Sequence, residues 1–263
     1  MMLPTIASVL ATLLYCLSAF LIFRQLGKSA QQRWIALAPA LTGTLIQALL
    51  LNHLIYRPDG LNLEFFAAFS LISWLISIQI LLSAYFRRIE SLGIAVFPIS
   101  GLASIIASLD THVLLIETSS SAIQVHIIIS IVAYSLITLG AFQATLLAYQ
   151  EHSIRSHKPG GLIRYLPPIH DMEALLFMFL GFGFISLSVS LLSGFFYLED
   201  IFAQHLVHKS VLSIVAWFIL GILMFGRLQF GWRGKTAIRW TLSSFLFLML
   251  AFFGSKLVLE FIL

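Results

Sequence analysis

Apolar residues along this chain fall in long unbroken blocks, with polar residues confined to short intervals between them. Eight blocks can be marked, at residues 4–23, 34–55, 65–86, 92–109, 123–149, 174–196, 211–225 and 240–263. At about 1.5 Å of rise per residue, a helix of about 20 residues crosses roughly 30 Å of hydrocarbon. Runs such as residues 126–132 have no period of two, so the strand alternation of a membrane barrel is absent. Helices satisfy their own backbone in lipid, and the pattern predicts an all-α polytopic transmembrane helix bundle of about eight spans, forming a single transmembrane domain over residues 1–263.

Composition agrees with that solvent. Hydrophobic residues make up 60% of the chain and charged residues 10%, and the mean hydropathy is +1.00. A water-facing fold with that surface would aggregate.

The placement of charge predicts an orientation. No basic residue precedes the first block, and Arg24, Lys28 and Arg33 follow it, which argues for a retained helix that starts outside and against a cleaved signal peptide. The first, third, fifth and seventh connections carry Arg24, Lys28, Arg33, Arg87, Arg88, Arg155, Lys158, Arg164, Arg227, Arg233, Lys235 and Arg239. The second, fourth and sixth carry only Arg57 and Lys209 among Asp59, Glu64, Asp110, Glu117, Glu199 and Asp200. Basic loops stay inside, so both termini are expected on the outer side. The net charge of +4 is thus a topology signal. The partner it indicates is a lipid bilayer, with no nucleic acid.

Several chemistries drop out. Cys16 is the sole cysteine, so there is no intrachain disulfide, no CxxC pair and no CxxCH haem attachment; any cofactor would be held non-covalently. HExxH, GxSxG and GxxxxGK[ST] are absent, as are paired intramembrane carboxylates, and the chain is not expected to be an enzyme. Lys256 and Glu260 have the spacing of a helical salt bridge. Ser186, Ser190 and Gly194 recur every four residues, a stripe that suits close helix packing.

Histidine carries the remaining chemical signal. In the expected orientation His152, His157 and His170 lie on the inner side, whereas His53, His112, His126, His205 and His208 lie at or near the outer face. His53, His126 and His208 come from three different helices at one depth. An imidazole in an apolar bundle is costly unless paired or bound, and two from different helices can supply the axial nitrogens of a haem iron. A packing explanation stands beside that one. His126, Ser130 and Tyr134 form a polar stripe at i, i+4 and i+8 that a buried hydrogen-bond network would also explain. His53 follows Asn52 and suits the headgroup region, and His205 and His208 suit the wet side of a short amphipathic segment, LEDIFAQHLVHKS.

The second half of the chain resembles a known family. VHIIISIVAYSLITLGAFQATLLAY at residues 125–149, the run 181–193, KSVLSIVAW at 209–217, Arg227 with GWRG at 231–234, and FFGSK at 252–256 follow one another as in the cytochrome c assembly (CcsA-type) family. The chain length and the LSIVAWF and GWRGK runs are similar to its short eight-helix, YpjD- or HemX-like branch. Residues 58–74, PDGLNLEFFAAFSLISW, resemble its second outer loop and third helix.

The resemblance implies a bacterial inner-membrane protein that assists cytochrome c assembly by binding haem non-covalently near the outer face. Apocytochrome c or other membrane assembly proteins would be its partners. His126 matches the family's first external histidine ligand, and Lys209 and Trp217 match the end of its tryptophan-rich haem segment; Tyr134 belongs to the same helix signature. The chain departs from the pattern elsewhere. No tryptophan lies between Ala174 and Ala216, Phe225 stands where the family has a histidine, and Ile262 stands near the place of the second external histidine. His208 and His53 are the substitutes available as second axial ligand. The competing expectation is a regulatory or scaffold protein that keeps the fold without haem.

Overall fold

A computed structural model describes residues 2–25, 30–57, 60–86, 89–110, 115–116, 121–156, 166–197 and 204–254. Its helices are α1 (Met2–Gln25), α2 (Ala30–Ile55), α3 (Phe65–Phe86), α4 (Gly93–Leu109), α5 (Ser121–Arg155), α6 (Ile169–Tyr197), α7 (Gln204–Phe230) and α8 (Gly234–Met249). Among the described residues these eight are long and apolar enough to cross a membrane, α8 together with the π-helical turn Leu250–Gly254 that continues it. The expected all-α polytopic bundle is the observed fold.

Several helices outrun their apolar blocks. α5 and α6 extend to 35 and 29 residues, and α7 takes in residues 204–210 at its start and Arg227 near its end. Lipid demands apolar side chains only over the hydrocarbon, so a helix can continue into the polar interface where the hydrophobic signal stops. Arg155 and Arg227, assigned above to connections, are helical for this reason. The connections also hold a feature that the apolar pattern does not announce, an antiparallel sheet of β1 (Tyr56–Arg57), β2 (Gly60–Asn62) and β3 (Leu115–Ile116) in the order β1-β2-β3. Its register pairs Leu61 with Tyr56 on one side and with Ile116 on the other.

The chain forms two compact units, residues 1–119 and 120–263. In the first, α1 packs on α2 and α4, and α3 on α2 and α4. Its interior is unusually polar. Tyr15 Oη donates to Gln47 Oε1 at 2.8 Å, Gln47 Nε2 donates to Ser70 Oγ at 3.1 Å, and the Ser77 and Ser100 hydroxyls meet at 2.8 Å. Thr12 Oγ1 donates to the Gly101 carbonyl at 2.9 Å. With no hydrophobic drive between helices in lipid, such bonds and small-residue contacts hold the bundle.

In the second unit α5 packs on α6 and α8, and α7 on α6 and α8. Glycine allows the closest approach. A Cβ on Gly183 would come within 2.8 Å of Ile137, and one on Gly140 within 2.8 Å of Leu180, so α5 and α6 touch backbone to side chain in both directions. The stripe read as a packing face lies in this contact, with Ser190 and Gly194 buried.

Candidate functional site

Where α5 begins in the second unit, α6 ends, α7 begins and α8 ends, and this end gathers most of the candidate residues. His126 is half-buried on α5. Its Nδ1 lies 2.8 Å from Ser193 Oγ of α6. One turn along, Ser130 Oγ donates to the His126 carbonyl at 2.7 Å and meets Ser190 Oγ at 2.7 Å. Ser193 Oγ donates to the Ser190 carbonyl at 2.9 Å. The polar stripe on α5 therefore has a matching set of hydroxyls on α6.

Tyr134 continues the stripe and is buried. Its ring is surrounded by the aromatic end of α8, with Phe252 at 5.3 Å, Phe253 at 5.7 Å and Phe245 at 6.5 Å between centroids. Phe252 and Phe253 lie in the π-helical turn, whose wider winding aims adjacent phenyl groups at one tyrosine. Lys209, at the start of the α7 span, places Nζ 5.3 Å from the Phe252 centroid, a cation–π distance. His126, Tyr134 and Lys209 thus share one region, linked through Phe252 and the α6 serines.

Trp217 is engaged differently. Its Nε1 donates to Ser188 Oγ at 2.8 Å, and its ring stacks on Phe184 at 5.6 Å and 17°. It lies eight residues beyond Lys209, about 12 Å along the helix, and braces α7 against α6. His53 is exposed near the end of α2 and belongs to the first unit. His208 lies within α7, but its side chain is outside the described residues, as are the side chain of His205, the whole of His112 and His157, and the Lys256, Glu260 and Ile262 positions. His152 and His170 are exposed. Among the described residues no three histidine, cysteine or carboxylate side chains gather as a metal site.

The hydropathy pattern did not single out Ser193, Phe252, Phe253 or Glu64. Ser193 falls three residues after Ser190 and off the four-residue stripe, which is why the spacing passes over it. Glu64 resembles a solvated loop carboxylate in sequence, yet it is buried, 3% exposed, just ahead of α3. Its Oε2 accepts the Phe66 N–H at 3.1 Å and its Oε1 accepts the Ala67 N–H. Burial, reinforced by a hydrogen bond with Asp110, pushes its carboxyl up from the ordinary 4.5 to about 7.

Comparison with known proteins adds an independent line. The sequence model of the family described as "Cytochrome C assembly protein" matches residues 34–263. The inner membrane protein YpjD of Escherichia coli K12 is 32% identical over 138 residues, 52% of each chain. An uncharacterized 28.8 kDa protein of Azospirillum brasilense is 32% identical over 143 residues, 54% of this chain and 53% of its own. The cytochrome c biogenesis protein CcsA of Chlamydomonas reinhardtii is 23% identical over 143 residues, 54% of this chain and 39% of its own. The chain spans about half the length of the curated relatives it matches. No solved structure is matched.

Proposed function

Since this chain belongs to the cytochrome c assembly protein family, we propose that it is a multi-pass inner-membrane protein that handles haem for cytochrome c assembly, with His126 as an axial ligand. The observation that carries the reading is the setting of His126. Its Nδ1 is committed to Ser193 while Nε2 lies outside that contact, the arrangement that a ligating imidazole requires.

The surrounding side chains fit a porphyrin carboxylate. Phe252 and Phe253, half-buried against the Tyr134 ring, supply an apolar aromatic wall, and Lys209 supplies the cation that a propionate would seek. Haem is cargo here, and the iron would take Nε2 of His126 and a second nitrogen, for which His208 of the same unit is proposed. The protein's own work is to hold the imidazole in one orientation and to keep an apolar surface with one ammonium beside it. The basic connections support placing both termini on the outer side, so that cargo is presented towards apocytochrome c.

A second reading has its own observation. No tryptophan stands between Ala174 and Ala216, and α5 and α6 satisfy their polar groups against each other, which also suits a scaffold without haem. Replacing the gene in its host separates the two. The haem reading expects covalently haem-bearing c cytochromes to fall without the protein and to stay low with His126→Ala at equal membrane abundance. Full restoration by His126→Ala supports the scaffold, and unchanged c cytochromes in the deletion contradict both.

A further inference from the structure

The geometry points to Ser193 and Ser190 as positioning residues that lock His126 in its Nδ1–H tautomer and so present the lone pair of Nε2. A serine hydroxyl has a single proton to give. That of Ser193 goes to the Ser190 carbonyl at 2.9 Å, so towards His126 Nδ1, 2.8 Å away, Ser193 presents a lone pair. The nitrogen must then carry the hydrogen.

The rest of the circuit has a direction for the same reason. Ser130 gives its proton to the His126 carbonyl at 2.7 Å, so across the 2.7 Å contact between Ser130 and Ser190 the donor is Ser190. Each of the three hydroxyls then donates once, Ser193 to the Ser190 carbonyl, Ser130 to the His126 carbonyl and Ser190 to the Ser130 oxygen. Reversing the tautomer would place two lone pairs face to face between His126 and Ser193, or take the Ser193 proton from the Ser190 carbonyl. These contacts are part-buried between α5 and α6, so water makes up for neither change in full.

The consequence is specific to this site. A neutral imidazole in water favours the Nε2–H form, whose Nε2 has no lone pair for a metal. The α6 serines invert that preference before any ligand arrives. This extends the haem reading of His126 and rests on it for its use, while the tautomer itself can be tested without haem.

The experiment uses the full chain in detergent micelles with ring-15N-labelled histidine at a pH where imidazole is neutral, His126 being identified by the signal lost in His126→Gln. The inference expects a protonated Nδ1 and an unprotonated Nε2 in the wild type and in Ser193→Thr, and a shift towards Nε2–H in Ser193→Ala. Titration with haem should then show affinity about 10 to 100-fold weaker in Ser193→Ala and near wild type in Ser193→Thr. An Nε2–H signal for His126 in the wild type overturns the inference, whatever haem does. The expected tautomer with no haem bound by any variant upholds the inference and overturns the haem reading instead.

Discussion

Glu173 of α6 accepts the backbone N–H of Gly234, at the start of α8, through Oε1 at 2.8 Å. The carboxylate is buried, 6% exposed, and caps a helix other than its own. Gly234 has φ +51°, and a Cβ there would come within 2.7 Å of Glu151 Oε1. Both ends of the contact are thus constrained, one by charge and one by backbone.

Removing the cap by Glu173→Ala should cost about 0.5–2 kcal/mol. Gly234→Ala should cost about 1–2 kcal/mol for the left-handed backbone alone, with the Glu151 contact added to it. Gly231, at φ +64° with nothing near its Cβ position, isolates the backbone share. Unfolding of the purified protein by denaturing detergent should therefore rank Gly234→Ala as more damaging than Gly231→Ala. The reverse order would mean that Glu151 moves aside freely.

Glu64 makes stability depend on pH. The folded chain holds this carboxyl at about 7, above its ordinary 4.5, so folding favours the protonated form. That contribution is fully present below about pH 4.5 and is lost as pH rises through 7. The wild-type unfolding midpoint should fall between pH 5 and pH 8, and Glu64→Gln should flatten the difference. A slope that survives in Glu64→Gln would assign it to another group.

The polar interior of the first unit should respond non-additively. Gln47→Leu removes the Gln47 acceptor of the Tyr15 hydroxyl and the donor to Ser70, at a cost of about 1–2 kcal/mol. Tyr15→Phe removes a single bond and should cost about 0.5–1 kcal/mol, within the range for side-chain bonds between membrane helices. The double variant should cost less than the two together, because the second change no longer strands a partner. Additivity would show that the two groups do not act as a unit.

How far these features can be read from sequence depends on the distance between the interacting residues. Membrane spans are written locally, because lipid imposes apolarity on every residue it touches, and all eight helices lie where the blocks put them. The ends of α5, α6 and α7 were less legible, since a helix leaving the hydrocarbon keeps its backbone while losing its hydrophobic signal. The two- and three-residue strands are too short to show a period.

At the site, His126, Ser130 and Tyr134 announce themselves by recurring every four residues on one helix. Their partners do not. Ser193 is 67 residues from His126, and Phe252 meets Tyr134 from the π-helical turn that ends α8. Glu64 shows the opposite failure, a carboxylate that local sequence places in solvent and tertiary packing buries.

The central claim is that His126 binds haem. It is tested most directly by titrating haem into the detergent-purified chain and recording the visible spectrum of wild type, His126→Ala, and Ser188→Ala as a control for α6. The account predicts a saturable Soret band, distinct from that of free haem, in wild type and Ser188→Ala and lost or strongly weakened in His126→Ala. No such band in the wild type, or one unchanged by His126→Ala, would contradict it.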